Sequence, residues 1–211
     1  MPILASTKAD PVGRSTGTLS AQFPRGVLAE IIPEGTIIVR VHHEARGPLW
    51  FGPQPGIPPQ QRFDAPGGEY RIAYLGTTRE ASFAEALLRE PDVEFVTMRG
   101  IRSRRVSQVR VIRPVTLIAL HGPGLARAGV SAAVATGDDY LRSRETARGL
   151  WATPEQPDGV VYRARHDDGE MSVALFDRAS DAIEVADSLP LDDDVRWLAS
   201  MALRYGFEFV P

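Results

Sequence analysis

Residues Gln61 to Arg89, QRFDAPGGEYRIAYLGTTREASFAEALLR, read as a turn, a short buried strand and a capped helix. Pro66-Gly67-Gly68 is the turn, because glycine reaches positive φ without steric cost. Tyr70 to Leu75 is aromatic and aliphatic enough for a strand. Thr77 followed three residues later by Glu80 has the capping-box spacing of a helix start. The helix is expected to stop before Pro91, since a following proline disfavours helical φ and ψ at Glu90.

Within that helix Glu85 is the informative residue. Ala81, Ala84, Leu87 and Leu88 share one apolar arc, and Glu85 stands beside it, in line with Ala81 and Leu88. A bare buried carboxylate costs on the order of several kcal/mol, so a Glu on the packing side needs a partner or a cavity. Spacing alone leaves two readings open: an ion pair at the edge of the core, or a carboxylate facing a cleft.

Upstream, Thr36 to His42 is β-branched and apolar, a strand by every local signal. Arg40 interrupts it, either as an edge residue or as a side chain pointing into a polar cleft. His42 and His43 are adjacent on the strand and point to opposite faces, so they do not chelate one metal. The Gly- and Pro-rich segment from Gly47 to Gln60 is a loop of rigid turns holding Trp50 and Phe51, a core plug or the wall of a ring-binding cleft. Residues 1–28 are Ser-, Thr-, Gly- and Pro-rich without a period and are expected to form a flexible N-terminal arm, leaving 29–211 as one domain.

Downstream, strands are expected at about Val93–Met98, Val106–Ile112 and Val115–Leu120. Arg102, Arg104, Arg105, Arg110 and Arg113 read as a solvated face on them, with a partner surface as the alternative. A helical region from Asp138 to Trp151 carries Arg142, Arg144, Glu145 and Arg148 at salt-bridge spacings. Asp158-Gly159 is a turn before the strand Val160–Ala164. Gly169 falls in the loop before the strand Ser172–Phe176. A last helix from Asp194 to Tyr205 is expected to be capped by Asp192 or Asp193 and stopped by Gly206. Its buried stripe would be Val195, Leu198, Ala202 and Tyr205, widened by Trp197 and Met201 as core residues. Many strands, few helices and no clean βαβ alternation predict an α+β domain with a central mixed sheet flanked by helices.

Arg40, Arg62-Phe63, Tyr74 and Glu85, followed by Asp158-Gly159-Val160-Val161-Tyr162-Arg163-Ala164-Arg165-His166-Asp167 and Val173 to Asp177, resemble the RES domain in order and spacing. The resemblance runs from about Thr36 to Asp177. RES proteins are toxin halves of bacterial toxin–antitoxin modules, similar in architecture to ADP-ribosyltransferase toxins. They deplete NAD by cleaving its nicotinamide–ribose N-glycosidic bond, with inorganic phosphate or water as acceptor. The resemblance implies NAD as substrate, no cofactor, and a cognate Xre-type antitoxin as partner, in a homodimer or a hetero-oligomer with that antitoxin. It also implies roles: Arg40 and Arg62 to hold the pyrophosphate, Glu85 to stabilise the developing ribosyl cation, and Tyr74 to stack on nicotinamide or orient Glu85. Arg163 or Arg165 would receive a phosphate co-substrate. The family's serine falls at Ala164, a substrate-binding position that here lacks its hydroxyl, so a catalytically weakened nucleotide- or partner-binding module is the alternative.

Composition narrows the rest. The chain has 211 residues, 43% hydrophobic and 24% charged, within the range of globular domains. No run approaches roughly 18 apolar residues and the first 25 lack a leader's apolar region, so neither a membrane span nor a secretory signal is expected. The absence of cysteine excludes disulfides, thiol catalysis and Cys-ligated zinc, and the expected address is cytoplasmic. A net charge of −3 argues against direct nucleic-acid binding, although Lys8 is the sole lysine and the positive charge is otherwise arginine. A hydrolase using His121 or His166 as base lacks a Gly-x-Ser-x-Gly nucleophile, and the four histidines lack the His-x-x-x-His spacing of a metal site.

Overall fold

The computed structural model describes residues 26–88 and 93–211. The expected N-terminal arm therefore lies outside the described residues except for Gly26 to Leu28, as does the expected helix boundary at Glu90-Pro91. Among the described residues, ten strands, six α-helices and one 3₁₀ turn alternate as β1 (Ala29–Ile32), β2 (Ile37–His43), β3 (Ile72–Gly76), α1 (Arg79–Leu87), β4 (Phe95–Thr97), α2 (Met98–Arg102), β5 (Arg104–Val111) and β6 (Val115–Leu120), followed by α3 (Pro123–Ala128), α4 (Ala133–Thr136), α5 (Tyr140–Trp151), β7 (Gly159–Ala164), β8 (Asp167–Phe176), the 3₁₀ turn Asp177–Ala182, β9 (Ile183–Pro190), α6 (Val195–Tyr205) and β10 (Glu208–Val210).

Eight strands form one sheet in the order β1-β6-β7-β8-β3-β2-β5-β9, and β4 pairs with β10 in a separate ribbon. The large sheet is mixed: β6 and β7 run parallel, joined by the crossover through α3, α4 and α5, and the other neighbours are antiparallel. The α+β class expected from the sequence is the one observed.

The strands bury alternate residues on two sheet faces. Ala73, Leu75, Leu117, Ala119, Val161, Val173 and Leu175 share one core cluster. Ile72, Ile118, Leu120, Val160, Tyr162, Ala174 and Phe176 share another, following the two-residue period of a strand. A third cluster is helical, with Phe83, Ala84 and Leu88 of α1 against Leu198 and Met201 of α6.

One break in the sheet organises the molecule. β2 pairs with β5 at seven positions from Ile37 to His43, but with β3 only at Val39↔Gly76. Beyond that point β2 and β3 part company, and α1 bridges them. The Val41 N–H donates to Ser82 Oγ of α1 at 2.6 Å. Gly76 allows the close approach: a Cβ there would meet Ser82 N at 2.5 Å and Thr78 O at 2.6 Å.

Local expectations shift at several boundaries. Thr78, not Thr77, caps α1, accepting from the Ala81 N–H at 2.9 Å. Thr77 still bonds to β8, its N–H and hydroxyl both donating to Met171 O. Glu80 accepts from Trp197 Nε1 at 3.0 Å instead of closing a capping box. Of Val93–Met98 only Phe95–Thr97 is strand, because Thr97 caps α2. Gly169 lies within β8, which is longer than expected, and β1, α2, α3, α4, β9 and β10 are not among the expected elements. Asp194 caps α6, accepting from the Trp197 N–H, in place of Asp192 or Asp193. Val195 is 70% exposed, because Trp197 takes the first-turn packing position, edge-on to Phe83 at 5.3 Å.

Candidate active site

Where β2 and β3 diverge, a cavity of about 490 Å³ opens beneath α1, within the roughly 300–1,000 Å³ of small-molecule sites. Arg40, Arg62, Tyr74 and Glu85 all line it, drawn from β2, the preceding loop, β3 and α1. Ala164 does not. Its side chain is fully buried, beside a bulge in the β7–β8 pairing. The expected substrate-binding residue 164 thus stands outside the cavity lining, on the same buried face of β7 as Tyr162, whereas Arg165, the next residue, is part of that lining.

Arg40 sits on an interior strand and is 7% exposed, so the cleft reading of this residue holds over the edge reading. Its Nη1 donates to Pro48 O at 2.9 Å and Trp50 O at 2.7 Å, so the aromatic loop fixes the guanidinium. Burial, with Arg46 nearby, lowers its pKa to about 10. A desolvated guanidinium with a second cation beside it makes an electropositive spot, which favours an anion. Phe51 packs into the core while Trp50 lines the cavity, its ring under Arg46 at 4.4 Å. The loop is thus plug and wall at once.

Arg62 is also 7% exposed. Its Nη1 donates to Gly137 O at 2.6 Å, and its guanidinium lies 4.7 Å from the centre of the Tyr140 ring. Tyr74 braces the segment that carries it. The Phe63 N–H donates to the Tyr74 hydroxyl at 2.9 Å, and that hydroxyl donates to Asp64 Oδ1 at 3.0 Å. Asp64 Oδ2 meanwhile accepts from the Gln60 and Gln61 N–H groups at 2.8 and 2.7 Å. Burial, with Asp64 adjacent, pushes the Tyr74 phenol well above its ordinary range and keeps it a donor. The tyrosine bonded to Glu85 is not Tyr74 but Tyr162, from β7.

Glu85 is the acid of the site. Its Oε1 accepts from the Arg165 N–H at 3.1 Å, and its carboxylate also takes the Tyr162 hydroxyl and faces the charge of Arg62. Burial dominates and raises its pKa; those three contacts pull the other way. The site therefore opposes one carboxylate, held by two donors, to buried guanidinium groups.

Of the two arginines expected near a phosphate, Arg165 lines the cavity and pairs with Asp138, whereas Arg163 is exposed and turns back to Asp168 O. His166 lines the cavity and His121 does not. The sequence did not point to Tyr140, Asp64 or Ser82, nor to the Tyr162 hydroxyl. Tyr162 alone had a signal, its place in the run from Asp158 to Asp167.

Three comparisons bear on this arrangement. The model of the RES domain matches residues 37–197. The chain is 33% identical over 104 residues to the probable toxin y4kH of Sinorhizobium fredii (strain NBRC 101917 / NGR234), an alignment spanning 49% of this chain and 81% of that one. Its fold is similar to that of a chain in the crystal structure of the M. tuberculosis MbcT–MbcA toxin–antitoxin complex, with a TM-score of 0.55 at 15% identity over 75% of this chain and 85% of the other.

Proposed function

Because the chain belongs to the RES domain family, we propose that it is the toxin of a toxin–antitoxin module and depletes NAD by cleaving the nicotinamide–ribose N-glycosidic bond. The relative in S. fredii is named a probable toxin, and the similar fold comes from a toxin–antitoxin complex. The observation that carries the chemistry is the meeting of Arg40, Arg62 and Glu85 in one cavity, the carboxylate facing Arg62.

The two guanidinium groups grip the pyrophosphate, each charge-assisted contact contributing about 1.5–3 kcal/mol. Trp50 and Tyr140 offer ring faces to the substrate's flat groups. As the bond to nicotinamide breaks, positive charge builds on the ribose as in other glycosyl transfers, and the Glu85 carboxylate stabilises it. Nicotinamide leaves neutral, so no general acid is required. Phosphate or water then takes the ribosyl carbon, giving phosphorolysis or hydrolysis. Arg165 is the nearer of the two candidates for guiding a phosphate, since Arg163 lies outside the cavity.

The partner is a cognate antitoxin of Xre type, with the toxin as a homodimer or a hetero-oligomer with it. A second reading, a binding module with weakened turnover, rests on the missing hydroxyl at Ala164. Nicotinamide release from NAD by the purified chain, with and without phosphate, separates the readings. Release well above background, together with growth arrest when the chain is expressed without its antitoxin, is the expected result. Tight ADP-ribose binding with no release would favour the second reading.

A further inference from the structure

The cross-strand row Tyr162–Ser172–Gly76 joins β7, β8 and β3 directly beneath α1. Gly76 lets the helix settle on the sheet, Ser172 is short, and Tyr162 is long enough to rise to Glu85. The Tyr162 ring is 2% exposed and wedged edge-on against Phe63 at 4.9 Å, so its phenol has little freedom. Ser172 is fully buried opposite Tyr162 across the strand pair, and its Oγ has no hydrogen-bond partner. A buried hydroxyl left unsatisfied is costly in a core and calls for a role.

We propose that Tyr162, backed by the Ser172 hydroxyl, is the positioning residue that holds the Glu85 carboxylate ionised and aimed into the cleft. The inference rests on the reading of Glu85 given above. The direction of the chain is fixed by chemistry: a carboxylate accepts, so Tyr162 donates to Glu85 and its oxygen is left to accept from Ser172. Arg62, the Arg165 N–H and the Arg165 guanidinium are the other groups holding the carboxylate charged, and Arg40, Asp138 and His166 line the same cavity. Burial opposes ionisation of Glu85, so losing the phenol leaves fewer donors against that penalty. In this chain the hydroxyl that supports the acid comes from β8, behind Tyr162, rather than from position 164.

The test uses Tyr162→Phe, Ser172→Ala and Ser172→Thr in the full chain. NMR titration of the ¹³C-labelled Glu85 carboxyl, assigned by its loss in Glu85→Gln, reads the acid without any enzymatic activity. The expected result is an upward move of the Glu85 titration in Tyr162→Phe, a smaller one in Ser172→Ala, and the wild-type curve in Ser172→Thr. For nicotinamide release, the loss of kcat in Tyr162→Phe should be about tenfold at pH 6 and smaller at pH 8.5, with kcat affected more than KM. Should Tyr162→Phe fail to fold, Ser172→Ala against Ser172→Thr decides. An unmoved Glu85 titration in the folded variants overturns the proposal. A shifted titration in a chain that releases no nicotinamide keeps the positioning role and refutes the reaction.

Discussion

The backbone N–H of Arg165 donates to Glu85 Oε1 at 3.1 Å, tying the end of β7 to the middle of α1 across 80 residues of sequence. The donor is a main-chain group that follows a bulge, so no side chain at position 164 or 165 is needed to make it. The site's acid is therefore held by fold geometry as much as by residue identity.

Glu85→Gln should lower nicotinamide release by about 10²–10³-fold, the cost of losing one preorganised charge at the reacting carbon. Stability should move the other way. The folded pKa of Glu85 is raised, so the folded state favours its proton, and stability is lost as pH rises from the ordinary carboxylate range through that raised value. The glutamine variant lacks that loss, and its Tm should exceed wild type at pH 7, with the gap closing towards pH 4. Thermal melts across that range check the sign.

Arg40 and Arg62 should be irreplaceable by lysine. Arg62→Lys and Arg40→Lys each forfeit a planar fork, and kcat/KM for NAD should fall about 10–150-fold. ADP-ribose should raise the Tm of wild type and lose that effect in both variants, which a thermal-shift assay measures directly.

Tyr74→Phe should act through the arginine loop. It removes one donor to Asp64 and the acceptor for the Phe63 N–H, so about 1–3 kcal/mol of stability should go, about 2–4 °C of Tm per kcal/mol. Arg62 loses its brace, so KM for NAD should rise more than kcat falls. Steady-state kinetics on the purified variant separate the two.

Ala164→Ser tests the family's serine directly. The side chain at 164 is buried and outside the cavity, so an added hydroxyl should leave nicotinamide release within about threefold and cost about 1–3 kcal/mol of stability. A gain of about a hundredfold would instead show that position 164 reaches the substrate and that the chain as it stands is a weakened enzyme.

Sequence alone determined the local order of this protein. The β-branched run around Arg40, the strand Val115–Leu120 and the Gly206 stop of the last helix are written in nearest-neighbour preferences, and the ordered set of Arg40, Arg62, Tyr74 and Glu85 carried the family. It missed β9, whose polar run Ile183–Pro190 has no strand period of its own and is strand because it pairs with β5 at the sheet edge. It misplaced the caps of α1 and α6, where Thr77 and Asp192–Asp194 offered several equivalent oxygens and tertiary contacts chose among them. Only the three-dimensional structure decided that β2 and β3 separate after one pair, that α1 spans the gap on Gly76, and that Tyr162 rather than Tyr74 meets the acid. Local preference acts over a few residues, whereas a cleft between two strands is a property of residues 40 to 165 at once.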